Sequence, residues 1–129
     1  MLEIRPVYTS YEREEYTRVF GIVPADDHFV IAAHNNGRFV GTAYGIVDAP
    51  KGTIELMSLI EGYDDYIDRF LLGKAALNYL DLNGAVEVTY TGNDEKLAKS
   101  LGFKTDVNPM YINLTGYFGS SHEKTEGTK

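Results

Sequence analysis

Between Thr53 and Thr91 the chain changes its hydrophobic period twice, and this restricts the fold more than any other feature. Thr53–Ile60 (TIELMSLI) reads as a strand. From Tyr63 to Asn83 apolar residues recur at helical spacing, with Tyr66, Phe70, Gly73, Leu77 and Leu80 along one stripe and Ile67, Leu72 and Ala76 widening it. Asp64 or Asp65 caps the start of this helix and Gly84 ends it. Ala85–Thr91 then alternates, with Val86, Val88 and Tyr90 inward. A strand that follows a long helix pairs parallel to the strand before the helix, through a right-handed crossover. The handover from strand to helix is a common anion site, because the helix start presents free N–H groups and the positive end of its dipole. Here that handover is acidic (Glu61, Asp64, Asp65) and holds a single glycine, Gly62.

The segments before Thr53 supply the rest of a sheet. Leu2–Pro6 is a short edge strand. Ser10 is placed to cap a helix over Tyr11–Phe20, with Tyr16, Val19 and Phe20 as its apolar side and Gly21 at its end. Phe29–Ala33 is a continuous apolar run that follows Asp26-Asp27-His28. The Asn36-Gly37 pair between two apolar runs predicts a tight hairpin, since both residues tolerate positive φ. In the second strand, Phe39–Val47, simple alternation puts Phe39, Gly41, Ala43, Gly45 and Val47 on one face and Val40, Thr42, Tyr44 and Ile46 on the other. Three small residues on one face predict close packing there, with a helix resting on the sheet as the plain explanation. After Thr91, a loop, a short helix over Asp94–Leu101 closed by Gly102, then Phe103 and Met110–Leu114 complete the chain. Residues 1–118 form one expected domain, and the polar stretch 119–129 is expected to be disordered.

Composition excludes several classes of function. A chain of 129 residues with 43% hydrophobic content supports one core. No cysteine is present, so disulfides, thiolate zinc sites and a cysteine nucleophile are absent. The net charge of −7 opposes nucleic acid and anionic membranes as partners. With no apolar run long enough for a span and no signal-peptide core at the N-terminus, a cytoplasmic location is expected. The expected partner is a small molecule or a protein, and a homodimer is an open assembly. His28 and His34 lie six residues apart without an acidic partner at ligand spacing, so no metal site is expected.

The order strand, helix, antiparallel meander, helix, strand, helix, terminal strands resembles the GCN5-related N-acetyltransferase (GNAT) family. The pieces that carry the resemblance are GKAALNYLDLNGAVEVTYTGN and the close LAKSLGFK. It implies an α+β, three-layer fold: a mixed, mostly antiparallel sheet flanked by helices, with one parallel strand pair at the centre. It also implies acetyl-CoA as the cofactor. In the family a loop of the form Arg/Gln-x-x-Gly-x-Gly holds the pyrophosphate through backbone N–H groups. Its glycines fall near Asp65, Ile67 and Arg69 here, and its leading residue near Asp64. None is glycine, a Cβ at each blocks close approach, and Glu61, Asp64, Asp65 and Asp68 add like charge. The resemblance therefore points to a degenerate pyrophosphate loop and a non-catalytic binding or regulatory module. The alternative is an active N-acetyltransferase acting on a small cationic amine.

The same resemblance assigns candidate residues. Glu55 stands on the central strand where some members keep a general base, and apolar neighbours there raise a carboxylate's pKa. Ser58, Leu59 and Ile60 occupy the strand end whose backbone would pair with the pantetheine arm. Asn93 matches a family asparagine that contacts the cofactor, and it suits a turn and helix cap equally well. Ala98 falls about where many members have a tyrosine that protonates the departing thiolate, and Tyr90 reads as core. Lys96, Lys99 and Lys104 lie near Asn93 and could meet an anion or simply form a solvated face.

Overall fold

The computed structural model describes residues 1–119, and of the stretch 119–129 expected to be disordered, 120–129 lies outside them. Six strands form one sheet in sequential order: β1 (Leu2–Val7), β2 (His28–Asn35), β3 (Arg38–Asp48), β4 (Lys51–Leu59), β5 (Glu87–Tyr90) and β6 (Met110–Asn113). Every neighbouring pair is antiparallel except β4 and β5, which run parallel. Three helices are interposed: α1 (Ser10–Arg18), α2 (Tyr66–Leu82) and α3 (Glu95–Leu101). The strand–helix–strand crossover read from Thr53–Thr91 is thus present, as is the mixed sheet with one parallel pair. No helix among the described residues is long and apolar enough to cross a membrane.

The two faces carry separate cores. Phe29, Ile31, Ala43, Ile54, Met57 and Val88 pack against Leu72, Ala76, Leu77 and Leu80 of α2 and Leu97 and Leu101 of α3. Val7, Val30, Ala32 and Tyr44 pack on the opposite face against Tyr16 of α1. The Asn36-Gly37 hairpin forms as read, with φ of 54° and 83°.

Several local expectations are corrected. The cap of α1 is Thr9, whose hydroxyl accepts from the Glu12 N–H at 3.3 Å, and Ser10 is already helical. Its buried residues are Tyr16 and Thr17, while Val19, just past the last turn, is 60% exposed. In α2 the buried stripe is Leu72, Gly73, Ala76, Leu77 and Leu80. Ile67 lies on the opposite side, 69% exposed, and Tyr63 precedes the helix. Val86 precedes β5 and is exposed, so only Val88 and Tyr90 point inward.

Simple alternation along β3 also fails, because β3 carries the first of two bulges in the sheet. Ala33 faces Gly41 but His34 faces Phe39, so Val40 is an extra residue. Phe39 therefore joins Tyr16, with rings stacked at 4.5 Å, while Val40 joins the α2 face. The helix expected on this face is present, with Ala43 in the α2-side core, while the two glycines of β3 make room for the neighbouring strand. A Cβ on Gly45 would lie 2.1 Å from the Thr53 carbonyl oxygen and 2.9 Å from the Phe29 ring, and one on Gly41 would lie 2.8 Å from the Ser58 carbonyl.

Candidate functional site

The second bulge builds the site. Tyr44 faces Leu56 while Gly45 faces Ile54, which leaves Glu55 as the extra residue of β4. Ile54 and Met57 keep to the α2 face, and Leu56 packs with the α1-side cluster. Glu55 turns to that same side, where its Oε2 lies 2.7 Å from Nε2 of His28. In an unbulged strand Glu55 and Leu56 would point to opposite faces.

β4 and β5 then part. Their pairing covers Lys51–Ile54 against Glu87–Tyr90, and the Thr91 N–H donates to the Ile54 carbonyl at 3.0 Å as the last link. From Leu56 onward β4 pairs on its β3 side and, among the described residues, has no strand partner on the other. The opening is a cleft of about 600 Å3 lined by Glu55, Leu56, Met57 and Ser58 on one wall and Tyr90, Thr91, Gly92, Asn93 and Asp94 on the other. The far wall is shaped by Tyr90, whose hydroxyl accepts from the Asp94 N–H at 3.2 Å. A Cβ on Gly92 would lie 2.5 Å from that hydroxyl. Burial pushes the Tyr90 phenol above its ordinary pKa.

Of the candidate residues, Glu55, Ser58 and Asn93 meet in this cleft, whereas Leu59 ends β4 and Ile60 follows it, both outside the cleft lining. The cap of α3 is Asp94, whose carboxylate accepts from the Leu97 N–H at 3.1 Å, so Asn93 is free of the capping role its position allowed. Ala98 is fully buried.

His28 is the residue that sequence reasoning missed. Read only as a metal-ligand candidate, it pairs with two carboxylates: Nδ1 lies 2.7 Å from Asp27 Oδ1, and Nε2 contacts Glu55. Its ring stacks on Tyr44 at 4.7 Å. The segment before it is held by Arg13 of α1, whose guanidinium donates to the carbonyls of His28 (2.7 Å) and Ala25 (2.6 Å). The Ala25 N–H donates to the Tyr44 hydroxyl at 2.8 Å. Burial disfavours the imidazolium, but the hydrogen bonds to Asp27 and Glu55 outweigh it and raise the His28 pKa above its ordinary value. Asp27 next in sequence was the visible signal; Glu55 came within reach only through the bulge. Among the described residues no group of three or more His, Asp and Glu could hold a metal ion.

The start of α2 forms the third part of the site. Asp65 is its cap, and its carboxylate accepts from the Asp68 N–H at 3.0 Å. The Tyr63 hydroxyl donates to the Asp68 carboxylate and accepts from Asn35 at 3.0 Å. Arg69 lies inside the helix rather than in the loop. It faces Asp94 at 3.6 Å, and its buried Nε has no hydrogen-bond partner. Arg69 and Lys96 both lie over the Tyr66 ring, at 5.3 and 5.2 Å from its centre.

Neither a protein-family model nor a curated protein sequence matches this chain. Solved structures do. A GNAT family acetyltransferase from Brucella melitensis, in complex with acetyl-CoA, superposes with a TM-score of 0.68 at 12% identity over 88% of each chain. This chain has the fold of the GCN5-related N-acetyltransferases. The GNAT fold is matched as well by an N-acetyltransferase from Staphylococcus aureus Mu50 (TM-score 0.66, 14% identity, 89% of this chain and 99% of that one). The ribosomal-protein-S18-alanine N-acetyltransferase from Escherichia coli matches with a TM-score of 0.61 at 17% identity, over 81% of this chain and 78% of its own. At these identities the likeness concerns the fold.

Proposed function

We propose that this protein is an acetyltransferase-like binding or regulatory module: a GNAT-fold domain that has the cleft between β4 and β5 and a degenerate acetyl-CoA pyrophosphate loop. The observation that carries this reading is the Asp65 cap. Its carboxylate already takes an N–H at the helix start, the place where a diphosphate would be held. Asp64 and Glu61 add negative charge beside it, and Gly62 stands ahead of the helix rather than in its first turn. The unpaired flank of β4 suits an extended pantetheine-like arm, so the cleft fits one part of acetyl-CoA while the helix start does not fit the other.

A second reading, an active N-acetyltransferase for a small cationic amine, is favoured by Glu55. A carboxylate at the bulge, held by His28 and opening on the cleft, is placed to take a proton from an amine brought beside an acyl donor.

Calorimetric titration with acetyl-CoA separates the two. Micromolar binding overturns the degenerate reading. Absence of heat and of any melting shift at millimolar ligand overturns the enzyme reading.

A further inference from the structure

Two Asn-Gly pairs stand in this chain, Asn36-Gly37 and Asn83-Gly84, and the fold holds them differently. Asn36-Gly37 is the exposed tip of the β2–β3 hairpin, with positive φ at both residues. The Gly37 N–H has no hydrogen-bond partner among the described residues, and a Cβ on Gly37 would meet nothing within 4 Å. Asn83-Gly84 closes α2. There the Gly84 N–H donates to the Asp81 carbonyl at 3.1 Å, and Asn83 Nδ2 donates to the Tyr79 carbonyl at 2.8 Å. A Cβ on Gly84 would lie 3.3 Å from that of Ala49. We propose that Asn36 is a site of spontaneous covalent modification: its side-chain amide cyclises onto Gly37 and hydrolyses to aspartate and isoaspartate, while the fold protects Asn83 from the same reaction. This chemistry is independent of any ligand in the cleft.

The reaction needs a backbone nitrogen free to attack and room for the peptide to turn. Glycine leaves its nitrogen unshielded, because no Cβ stands beside it. The Gly37 nitrogen attacks Asn36 Cγ. The N–Cγ bond forms, the Cγ–Nδ2 bond breaks, and Nδ2 departs as ammonia with the proton that Gly37 gave up. Water then opens the cyclic imide. Opening at the Cγ carbonyl leaves isoaspartate's counterpart, the main-chain-linked aspartate; opening at the main-chain carbonyl leaves isoaspartate. Water is the only co-reactant, and nothing is oxidised or reduced. Asn36 Oδ1 is the oxygen that gains negative charge as the ring closes, and it accepts a hydrogen bond from the Met1 amino group. At Asn83 two hydrogen bonds must first be given up, which slows a reaction by about thirtyfold.

The hairpin tip is tied to the start of α2. Asn35 Nδ2 donates to the Tyr63 hydroxyl at 3.0 Å, and that hydroxyl donates to the Asp68 carboxylate. Asn35, Asn36, Arg38, Val40 and Tyr63 line one hollow of about 330 Å3. Modification puts a carboxylate into it, and isoaspartate lengthens a turn whose two residues fix the pairing of Asn35 with Arg38.

The test is peptide mapping by mass spectrometry of the whole protein held folded at mildly alkaline pH, with a parallel sample in concentrated urea. Trypsin releases residues 19–38 and 75–96, which carry the two sites separately, and fragmentation reads the conversion of amide to acid at each asparagine. In the folded protein the Asn36 amide should be lost about thirtyfold faster than that of Asn83. In urea the two rates should converge. An Asn36 amide that outlasts that of Asn83 in the folded protein, or a rate ratio that is the same folded and in urea, overturns the proposal. The modified fraction, separated by anion exchange, should show displaced backbone amide resonances at Tyr63 and Asp68. Unmoved resonances there overturn the link to α2. Neither readout involves acetyl-CoA, so the calorimetric test of the proposed function fails or succeeds separately.

Discussion

The Asp65 carboxylate accepts a hydrogen bond from the backbone N–H of Asp68 at 3.0 Å and thereby caps α2 with the protein's own anion. Removing a cap of this type costs about 1 kcal/mol, whereas glycine at the same place costs a few tenths. Asp65→Ala should therefore lower the unfolding free energy measured in urea by that amount, and Asp65→Gly by much less. Asp65→Gly also removes a charge and a Cβ from the helix start, so it should bind inorganic pyrophosphate more tightly than the wild type. Equal pyrophosphate affinity in the two proteins would show that the cap is not what bars a diphosphate.

His28 gives the fold a pH dependence of definite sign. Its folded pKa lies above the ordinary 6.5. The stabilisation from its pairing is complete below the unfolded value and is lost as pH rises through the folded one. The stability advantage of wild type over Glu55→Gln should thus be larger at slightly acid pH than on the alkaline side of neutrality. Paired urea melts of the two proteins at the two pH values measure it, and an advantage that grows with pH contradicts the assignment.

Gly45 tests the strand packing behind the bulge. The Thr53 carbonyl, 2.1 Å from the position of an added Cβ, belongs to backbone held in the β3–β4 ladder, so it moves only at the expense of hydrogen bonds. Gly45→Ala should destabilise by about 3 kcal/mol, the upper end for overpacking. A denaturation midpoint near that of the wild type would mean that the two strands separate easily at this point.

Leu80 tests the seat of α2 on the sheet. It is fully buried in the α2-side core, and its Cδ2 would lie 2.6 Å from a Cβ on Gly52 of β4. Leu80→Ala should cost about 2–5 kcal/mol by lost burial and an unfilled cavity. Chemical denaturation reads this directly, and a loss below about 1 kcal/mol would mean that the helix relaxes into the gap.

Much of the fold was legible because it is written in local periodicity and turn chemistry. The helical stripe ending in Leu77 and Leu80, the Asn36-Gly37 hairpin and the glycine after α3 each follow from residues within a few positions of one another. The parallel pairing of β4 and β5 follows from chain connectivity. What failed was side-chain direction past a bulge: Phe39 and Val40 exchange faces because of one extra residue, which neighbouring residues do not announce. The candidate site was legible to the same degree. Glu55, Ser58 and Asn93 could be named from the family resemblance, but His28 lies 27 positions before Glu55 in the chain.

The sequence by itself determined the order of the elements, the absence of cysteine chemistry and the acidic, glycine-poor start of α2. These depend on composition and on short-range patterns of burial and φ preference. Only the tertiary structure decided that Asp65 rather than Asp64 caps the helix, that β4 and β5 part after Ile54, and that Glu55 turns to the α1 face to meet His28. Those outcomes depend on register between strands far apart in the chain. A single extra residue in one strand reverses which face a carboxylate sees.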